Sequence, residues 1–332
     1  MDPLTHTATG LFLSRAGLNR WTPMATPILL LAANAPDIDA ITGLGGSLSY
    51  LHYHRHLTHS LIALPLMAIL PVAIVRLAGR TPVRWIPAFA ASLIAVASHL
   101  LLDLTNVYGV RLLLPFSASW FHLDWTNVID LWIWTIALLG VAAPFLGRLV
   151  GSEISSGVAR QRHHGRGFAI FALLFFFAYD YGRSILHARA VAVLDSRLYQ
   201  GTTATRVAAG PDAVNPLRWR GLAETPDFWA AADLRLSEEF DPARVSIFHK
   251  PEPDPAIEAA HRTKAFQTFL EFSQAPLWRV LPVAEPENAK VVEIIDMRFG
   301  TPLDPGIMAS ALVSAKLEVL ESAVRWGSIR PR

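Results

Sequence analysis

Four stretches of this sequence are apolar for long enough to form helices that cross, or nearly cross, a lipid bilayer. They are Leu61–Ala78, Trp85–Leu102, Val128–Leu146 and Gly167–Tyr179. Eighteen helical residues extend about 27 Å, which just covers the hydrocarbon core of a membrane. Residues 61–147 carry seven charged side chains, whereas residues 191–332 carry 35. We therefore predict a membrane domain in the first half of the chain and a soluble domain in the second.

The first 35 residues leave two arrangements open. Thr5–Leu18 and Thr22–Ala35 are short apolar runs, and a break at Gly17–Arg20 separates them. Either one helix crosses the membrane here, or the two runs form a short hairpin that returns to the same face. The predicted fold is an all-α polytopic membrane domain of four or five transmembrane helices, covering residues 1–187.

After residue 187 the pattern changes to short runs separated by proline-containing turns, which is typical of strands. Residues 256–272 have helical spacing and predict one helix. Residues 309–324 alternate between apolar and small or polar side chains, which favours a strand. We predict a small α+β soluble domain over residues 188–332. The other predicted strands are Arg218–Leu222, Phe228–Leu236, Val245–His249, Trp278–Val283 and Val291–Phe299.

Arginines before and between the apolar segments suggest an orientation, because such stretches tend to stay in the cytoplasm. Loops 36–60 and 103–127, and everything after residue 187, then face outward. The arginines are Arg15, Arg20, Arg76, Arg80, Arg84, Arg148, Arg160, Arg162 and Arg166.

Composition excludes several classes of site and partner. The chain has no cysteine, so disulfides, thiolate zinc sites and thiol nucleophiles are ruled out. The net charge of +2, without a basic stripe that includes aromatic residues, argues against a nucleic-acid partner.

Histidines and aspartates collect at one predicted face of the membrane domain. Ten of the twelve histidines lie in the first 190 residues, the part of the chain least suited to them. His99 and Asp103 are four residues apart and therefore project from the same side of a helix. Imidazoles and carboxylates together suit zinc, manganese or iron better than calcium. The predicted donors are Asp37, Asp39, His54, His59, His99 and Asp103. This number of donors is enough for two ions.

Each residue also has a simpler interpretation. A single histidine in a membrane is often just packed, and Asp37 and Asp39 could cap a helix. The combination favours a cation, since an aspartate within a membrane helix costs roughly 2.5–3.5 kcal/mol. His6 reaches the cluster only if the first 35 residues form the hairpin. Arg55 could bind an anionic substrate oxygen or pair with an aspartate.

Residues 1–180 resemble the YdjM-like family of inner-membrane-associated, metal-dependent hydrolases. The resemblance rests on the motifs MDPLTHTATGLFLSRAGLNR, AANAPDID, YHRHLTHS, SHLLLDLTNVYG and LPFSASWFHLDW, in this order. It implies a divalent metal in a multi-pass protein of the bacterial inner membrane, and the arginine pattern adds a periplasmic site and C-terminal domain. A looser similarity links the motifs to zinc-dependent phospholipase C. The implied ligands are His6, Asp37, Asp39, His54, His59, His99 and Asp103, while His52 and His56 fall outside the motif.

We therefore expect a hydrolase that uses a metal-activated water to cleave phosphoester or lipid-headgroup substrates. Zinc is the favoured cofactor, with manganese or iron as alternatives, and membrane lipids and a small-molecule or lipid substrate are the expected partners. One of Asp37 and Asp39 would bind the metal, and Asp39 as base and Arg55 as charge stabiliser are the expected catalytic residues. Two rival functions are a metal transporter or sensor and a membrane scaffold whose soluble domain binds a partner.

Overall fold

The computed structural model describes residues 1–79, 82–154 and 165–327, and for residues 146–154 the backbone alone. The chain divides into two compact units, each of which draws on several segments. The first unit contains Met1–Asp39, Arg55–His187 and Pro211–Pro216. The second contains Ala40–His54, Ala188–Gly210 and the described chain from Leu217 onward.

The helices dominate the first unit and the strands the second. In chain order the helices are α1 (Pro3–Ala16), α2 (Ala25–Ala32), α3 (Ser47–Tyr53), α4 (Leu64–Ala78), α5 (Trp85–Thr105), α6 (Leu131–Ile154), α7 (Arg166–Asp195), α8 (Pro255–His261) and α9 (Lys264–Phe272). The strands are β1 (Leu198–Tyr199), β2 (Thr202–Thr203), β3 (Arg206–Pro211), β4 (Arg218–Glu224), β5 (Phe228–Arg235), β6 (Ser246–His249), β7 (Pro276–Pro282), β8 (Lys290–Asp296), β9 (Ile307–Val313) and β10 (Val319–Trp326). Short 3₁₀ segments include Pro36–Gly45 and Leu57–His59.

Two helices among the described residues, α5 and α7, are long and apolar enough to cross a membrane. The number rises to four if each of two bent pairs counts as one span. These pairs are Ala25–Ala32 with Pro36–Gly45, bent by 49°, and Ser47–His59 with Leu64–Ala78, bent by 88°. A helical region with two to four candidate spans, followed by an α/β domain, is therefore confirmed. The predicted count of four or five stays a prediction, and the described apolar part of α6 is the shorter Leu131–Phe145.

Part of the predicted orientation depends on residues that the structure does not describe. Arg80, Arg160 and Arg162 lie outside the described residues, as does the side chain of Arg148. Arg166 Nε donates a hydrogen bond of 2.9 Å to the carbonyl of Ala16. The end of α1 and the start of α7 therefore lie at the same end of the first unit.

The first two helices pack against each other as a hairpin. Asp2 caps α1 by accepting hydrogen bonds from the Leu4 and Thr5 amides, at 3.0 and 3.1 Å. α1 then packs against α2 at Gly10, where a Cβ would lie 2.7 Å from the Leu29 carbonyl oxygen. Only glycine allows this approach, since real Cβ atoms do not come so close to backbone oxygens. The hairpin returns the chain to the end of the unit that holds His6.

Alanines let α5 lie close to its neighbours in the first unit. Ala91 and Ala95 are fully buried in a cluster with Ala68 of α4 and Ala32 of α2. Ser92 Oγ donates a 2.6 Å hydrogen bond to the Ala68 carbonyl. Close packing of this kind leaves few side-chain rotamers and few voids, so the end of α5 is held in a defined position.

Two antiparallel sheets make up most of the second unit, with strand orders β3-β4-β5-β6 and β10-β9-β8-β7. Leu222 and Trp229 from the first sheet share a buried cluster with Leu277 and Met297. The predicted strands over residues 218–299 are confirmed with small shifts of their ends.

Two sequence predictions for the second unit are wrong. The single helix over residues 256–272 is the pair α8 and α9, because Thr263 starts a new helix by accepting a hydrogen bond from the Phe266 amide at 3.4 Å. The single strand over residues 309–324 is the hairpin β9–β10. Its turn places Leu317 at φ 62°, and the sequence pattern did not indicate it.

We predict that Gly10→Ala destabilises the first unit by about 1–3 kcal/mol, because the new methyl group overpacks the contact between α1 and α2. Thermal unfolding of the protein in detergent micelles measures this. Gly182→Ala is the control, since a Cβ there meets nothing within 4 Å and alanine favours a helix. Equal unfolding midpoints for Gly10→Ala and the wild type would contradict the close packing.

Candidate metal centre

Helix α5 supplies His99 and Asp103, both fully buried. His99 Nδ1 lies 2.7 Å from the carbonyl oxygen of Ala33. Since a carbonyl only accepts, Nδ1 carries the proton and the lone pair of a neutral His99 is on Nε2. The Nε2 atom lies 3.3 Å from Asp103 Oδ2, so the two side chains face one point from consecutive turns of the helix.

His59 ends the 3₁₀ segment Leu57–His59 and is held in a similar way. Its Nδ1 lies 3.1 Å from Asp39 Oδ2, an atom that also accepts hydrogen bonds from Thr58 Oγ1 at 2.5 Å and the Arg55 amide at 3.0 Å. A carboxylate on Nδ1 fixes the imidazole and leaves the Nε2 lone pair for a metal, as in many metal sites. Asp39 therefore orients His59 in this structure.

Asp37, in the 3₁₀ segment Pro36–Gly45 that follows α2, completes a group of four donors. One donor atom from each of Asp37, His59, His99 and Asp103 lies within 4.8 Å of the others. His59 Nε2 is 3.1 Å from His99 Nε2 and 3.4 Å from both Asp37 Oδ1 and Asp103 Oδ2. His99 Nε2 is 3.7 Å from Asp37 Oδ1. The four atoms converge on one small volume.

These distances fit a tetrahedral metal ion. Zinc bonds of about 2.0–2.1 Å to nitrogen and oxygen put tetrahedral donors about 3.3 Å apart. The two Nε2 atoms face each other, and Asp103 Oδ2 is buried without a hydrogen-bond partner among the described residues. A cation between the donors would satisfy all four groups, so the residues fit a divalent metal. The donor types agree with zinc, manganese or iron.

His6 also reaches the cluster, because the hairpin of α1 and α2 brings it there. Its ring stacks on His99 with centroids 3.7 Å apart, and its Nε2 lies 3.5 Å from Asp103 Oδ1. Neither ring nitrogen of His6 has a hydrogen-bond partner among the described residues. Burial, helped by the neighbouring His99, lowers the pKa of His6 to about 3. Its imidazole is therefore neutral and has a lone pair that can bind a metal.

Arg55 pairs with an aspartate, one of the two roles left open by the sequence. Its Nη2 lies 2.9 Å from Asp103 Oδ1, and the amino group of Met1 contacts the same oxygen. Nη1 donates to Asn106 Oδ1 at 3.2 Å and to the Gly109 carbonyl at 3.0 Å. The side chain of Arg55 is only 3 % exposed. Arg55 therefore holds one oxygen of Asp103 while the other faces the imidazoles.

The structure brings most of the predicted ligands together around Asp103. His54 is described with the second unit, where its ring stacks on Tyr50 at 4.5 Å, and its ligand role stays a prediction. The predicted ligand role of Asp39 and the catalytic roles of Asp39 and Arg55 also stay predictions.

Three supporting groups were missed by the sequence reasoning. These are the Ala33 carbonyl, Thr58 and Asn106, whose Nδ2 lies 3.4 Å from Asp103 Oδ1. Asn106 follows Asp103 by three residues at the end of an apolar helix, and this spacing could have identified it. No sequence pattern marks a backbone carbonyl such as that of Ala33.

Comparisons with known proteins agree with the division of the sequence into two parts. The family model for the YdjM inner membrane protein matches residues 1–191, and that for the YfhP C-terminal alpha/beta plait domain matches residues 255–330. A Bacillus subtilis (strain 168) protein described as uncharacterized protein YfhP is 29% identical over 157 residues. The match covers 44% of this chain and 47% of that protein, so the chain spans about half of its relative's length. No solved structure matches.

We predict that the purified protein carries about one tightly held divalent ion per four-donor site, and that Asp37→Ala and Asp103→Asn lose it. Asp39→Asn should keep the four donors but bind the ion about 10- to 100-fold more weakly, since it weakens the contacts that orient His59. Elemental analysis and competition with chelators measure both effects. Asp180→Asn, on α7 and outside the cluster, is the control. A full metal content in Asp37→Ala would contradict the proposed ligand set.

Proposed function

Because the chain belongs to the YdjM inner membrane protein family, we propose that it is a membrane-bound, metal-dependent hydrolase. The favoured substrates are phosphoesters, above all lipid headgroups. The observation that carries the proposal is the set of four donors, of which five pairwise distances lie between 3.1 and 3.7 Å. Such a set suits a small divalent cation rather than a purely structural network of hydrogen bonds.

A divalent ion, when bound, supplies a water of lowered pKa and polarises a phosphoryl oxygen. The protein's own residues prepare the place where this happens. The Ala33 carbonyl and Asp39 keep His99 and His59 in the tautomers that turn Nε2 to the ion. Arg55 fixes Asp103 and adds positive charge beside it. In this proposal Asp39 and Arg55 act through their neighbours and are positioning residues.

The position of the donors along the helices favours a hydrolase over a metal transporter. Asp103 lies in the last turn of α5, Asp37 follows the end of α2, and His59 precedes α4. Transporters hold their ions near the middle of the membrane, between broken helices of repeated units. Donors at helix ends meet the membrane surface, where the headgroups are.

We further propose that the protein crosses the inner membrane several times and that the site opens on the periplasmic side. The apolar helices α5 and α7 support membrane insertion. The arginines near the ends of α1, α4 and α7 support a cytoplasmic position for the opposite face.

We predict that purified protein in detergent or lipid, supplied with zinc or manganese, hydrolyses a generic phosphodiester. The double variant His59→Ala with Asp103→Ala should lose at least about 10³-fold in rate, because it removes two of the four donors and with them the metal-activated water. Release of the alcohol product measures the rate. Activity that survives in the double variant would remove these residues from the mechanism. Metal uptake into vesicles without ester cleavage would instead favour the transporter.

We predict that two exposed positions lie on opposite sides of the membrane and react differently when each is replaced by cysteine. The chain has no native cysteine that would interfere with the labelling. A membrane-impermeant thiol reagent applied to intact spheroplasts should label Ala118→Cys, in the loop after α5, but not Gly167→Cys, at the start of α7. Both should react after detergent is added, which controls for reactivity. Labelling of Gly167→Cys alone would invert the proposed topology.

A further inference from the structure

The segment Phe121–Trp125 contains a second histidine–aspartate pair, separate from the donor cluster. His122 Nδ1 lies 2.9 Å from Asp124 Oδ1, and the side chains are 21% and 11% exposed. Asp130 caps α6 by accepting a hydrogen bond from the Trp132 amide at 3.0 Å, whereas Asp124 faces the His122 imidazole.

We propose, on the basis of the proposed hydrolase function, that His122 is the general acid that protonates the leaving group and that Asp124 orients it. Nδ1 of His122 is tied to the carboxylate, so Nε2 is the nitrogen that can exchange a proton with a substrate. The partial exposure of the ring gives a substrate access to it. Asp124 also stabilises the charged imidazolium from which the proton is given.

Backbone contacts place this pair beside the donor cluster. The Leu123 amide donates to the Leu104 carbonyl at 2.9 Å, and Leu104 directly follows Asp103. On the other side of His122, Phe121 and Val110 exchange two hydrogen bonds of 2.9 Å. The segment therefore runs along the end of α5 and the residues that follow it.

Gly109 provides a second link between His122 and the cluster. A Cβ on Gly109 would lie 3.1 Å from His122 Cβ, so the histidine packs directly on the glycine backbone. The Gly109 carbonyl accepts a hydrogen bond from Arg55 at 3.0 Å, and Arg55 pairs with Asp103 at 2.9 Å. His122 is therefore connected to the Asp103 carboxylate through two residues, Gly109 and Arg55.

The strained backbone of Asp124 supports a functional role for the pair of His122 and Asp124. Its φ of 53° lies in the left-handed region, which aspartate adopts more readily than most residues but still at some cost.

In the proposed step the water oxygen forms a bond to phosphorus, and the bond from phosphorus to the leaving oxygen breaks. The proton on His122 Nε2 passes to that leaving oxygen, which departs as an alcohol. The proton of the attacking water goes to solvent, and His122 regains a proton from solvent before the next cycle.

The test compares two phosphodiester substrates that differ only in their leaving group. 4-Nitrophenolate leaves without a proton, whereas an alkoxide needs one. We expect His122→Gln to slow cleavage of the alkyl ester by about 10²- to 10⁴-fold and that of the 4-nitrophenyl ester by less than about 10-fold. Asp124→Asn should show the same selectivity with a smaller loss. His249→Gln, an exposed histidine of the second unit, is the matched control.

Metal content and the unfolding midpoint of His122→Gln are measured alongside the rates, and both should equal those of the wild type. Equal losses on the two esters, or loss of the metal, would overturn the role of His122 while leaving the proposed hydrolase in place. A wild-type protein that cleaves neither ester would instead overturn the proposed function, and the general acid with it.

Discussion

The charge of the donor cluster is the constraint on which the first unit depends. Asp37, Asp39 and Asp103 are three carboxylates gathered in one place, and the positive groups that contact Asp103 are Arg55 and the amino group of Met1. Uncompensated buried charges cost several kcal/mol each. A divalent cation among the four donors would add positive charge where the carboxylates and imidazoles converge, and the distances leave room for one. Such an ion would stabilise the fold around it as well as supply chemistry.

The helix packing and the cluster depend on each other. His99 is aimed by the Ala33 carbonyl, and Ala33 lies directly after α2, where its Cβ is 2.9 Å from the place a Cβ on Gly10 would occupy. The contact between α1 and α2 thus fixes both His6 and the carbonyl that sets the tautomer of His99. A methyl group added at Gly10 would therefore reach His99 through one packing contact with Ala33 and one hydrogen bond.

Sequence reasoning predicted the parts of the site that follow from local spacing. The separation of four residues between His99 and Asp103 places both on one side of a helix, and the apolar run before them identifies that helix. The hairpin that delivers His6 was one of two arrangements left open, because the close approach at Gly10 depends on a partner helix that spacing does not reveal. The sequence also could not distinguish the roles of Asp37 and Asp39. Asp37 faces Nε2 of His59, whereas Asp39 faces Nδ1, and spacing alone does not reveal this. The turn between β9 and β10 was missed because Leu317 is a residue that rarely adopts a positive φ.

The chain between the donors Asp37 and His59 passes through the second unit. Residues 40–54 belong to that unit, although Asp39 and Arg55 on either side belong to the first. Within that unit Tyr50 of α3 packs edge-on against Trp326 of β10, with centroids 5.8 Å apart. Anchoring these residues in the second core reduces the conformational freedom of the chain between Asp37 and His59, which lowers the entropic cost of bringing the two donors together. None of the four donors belongs to the second unit, so this entropic effect arises from the covalent chain alone.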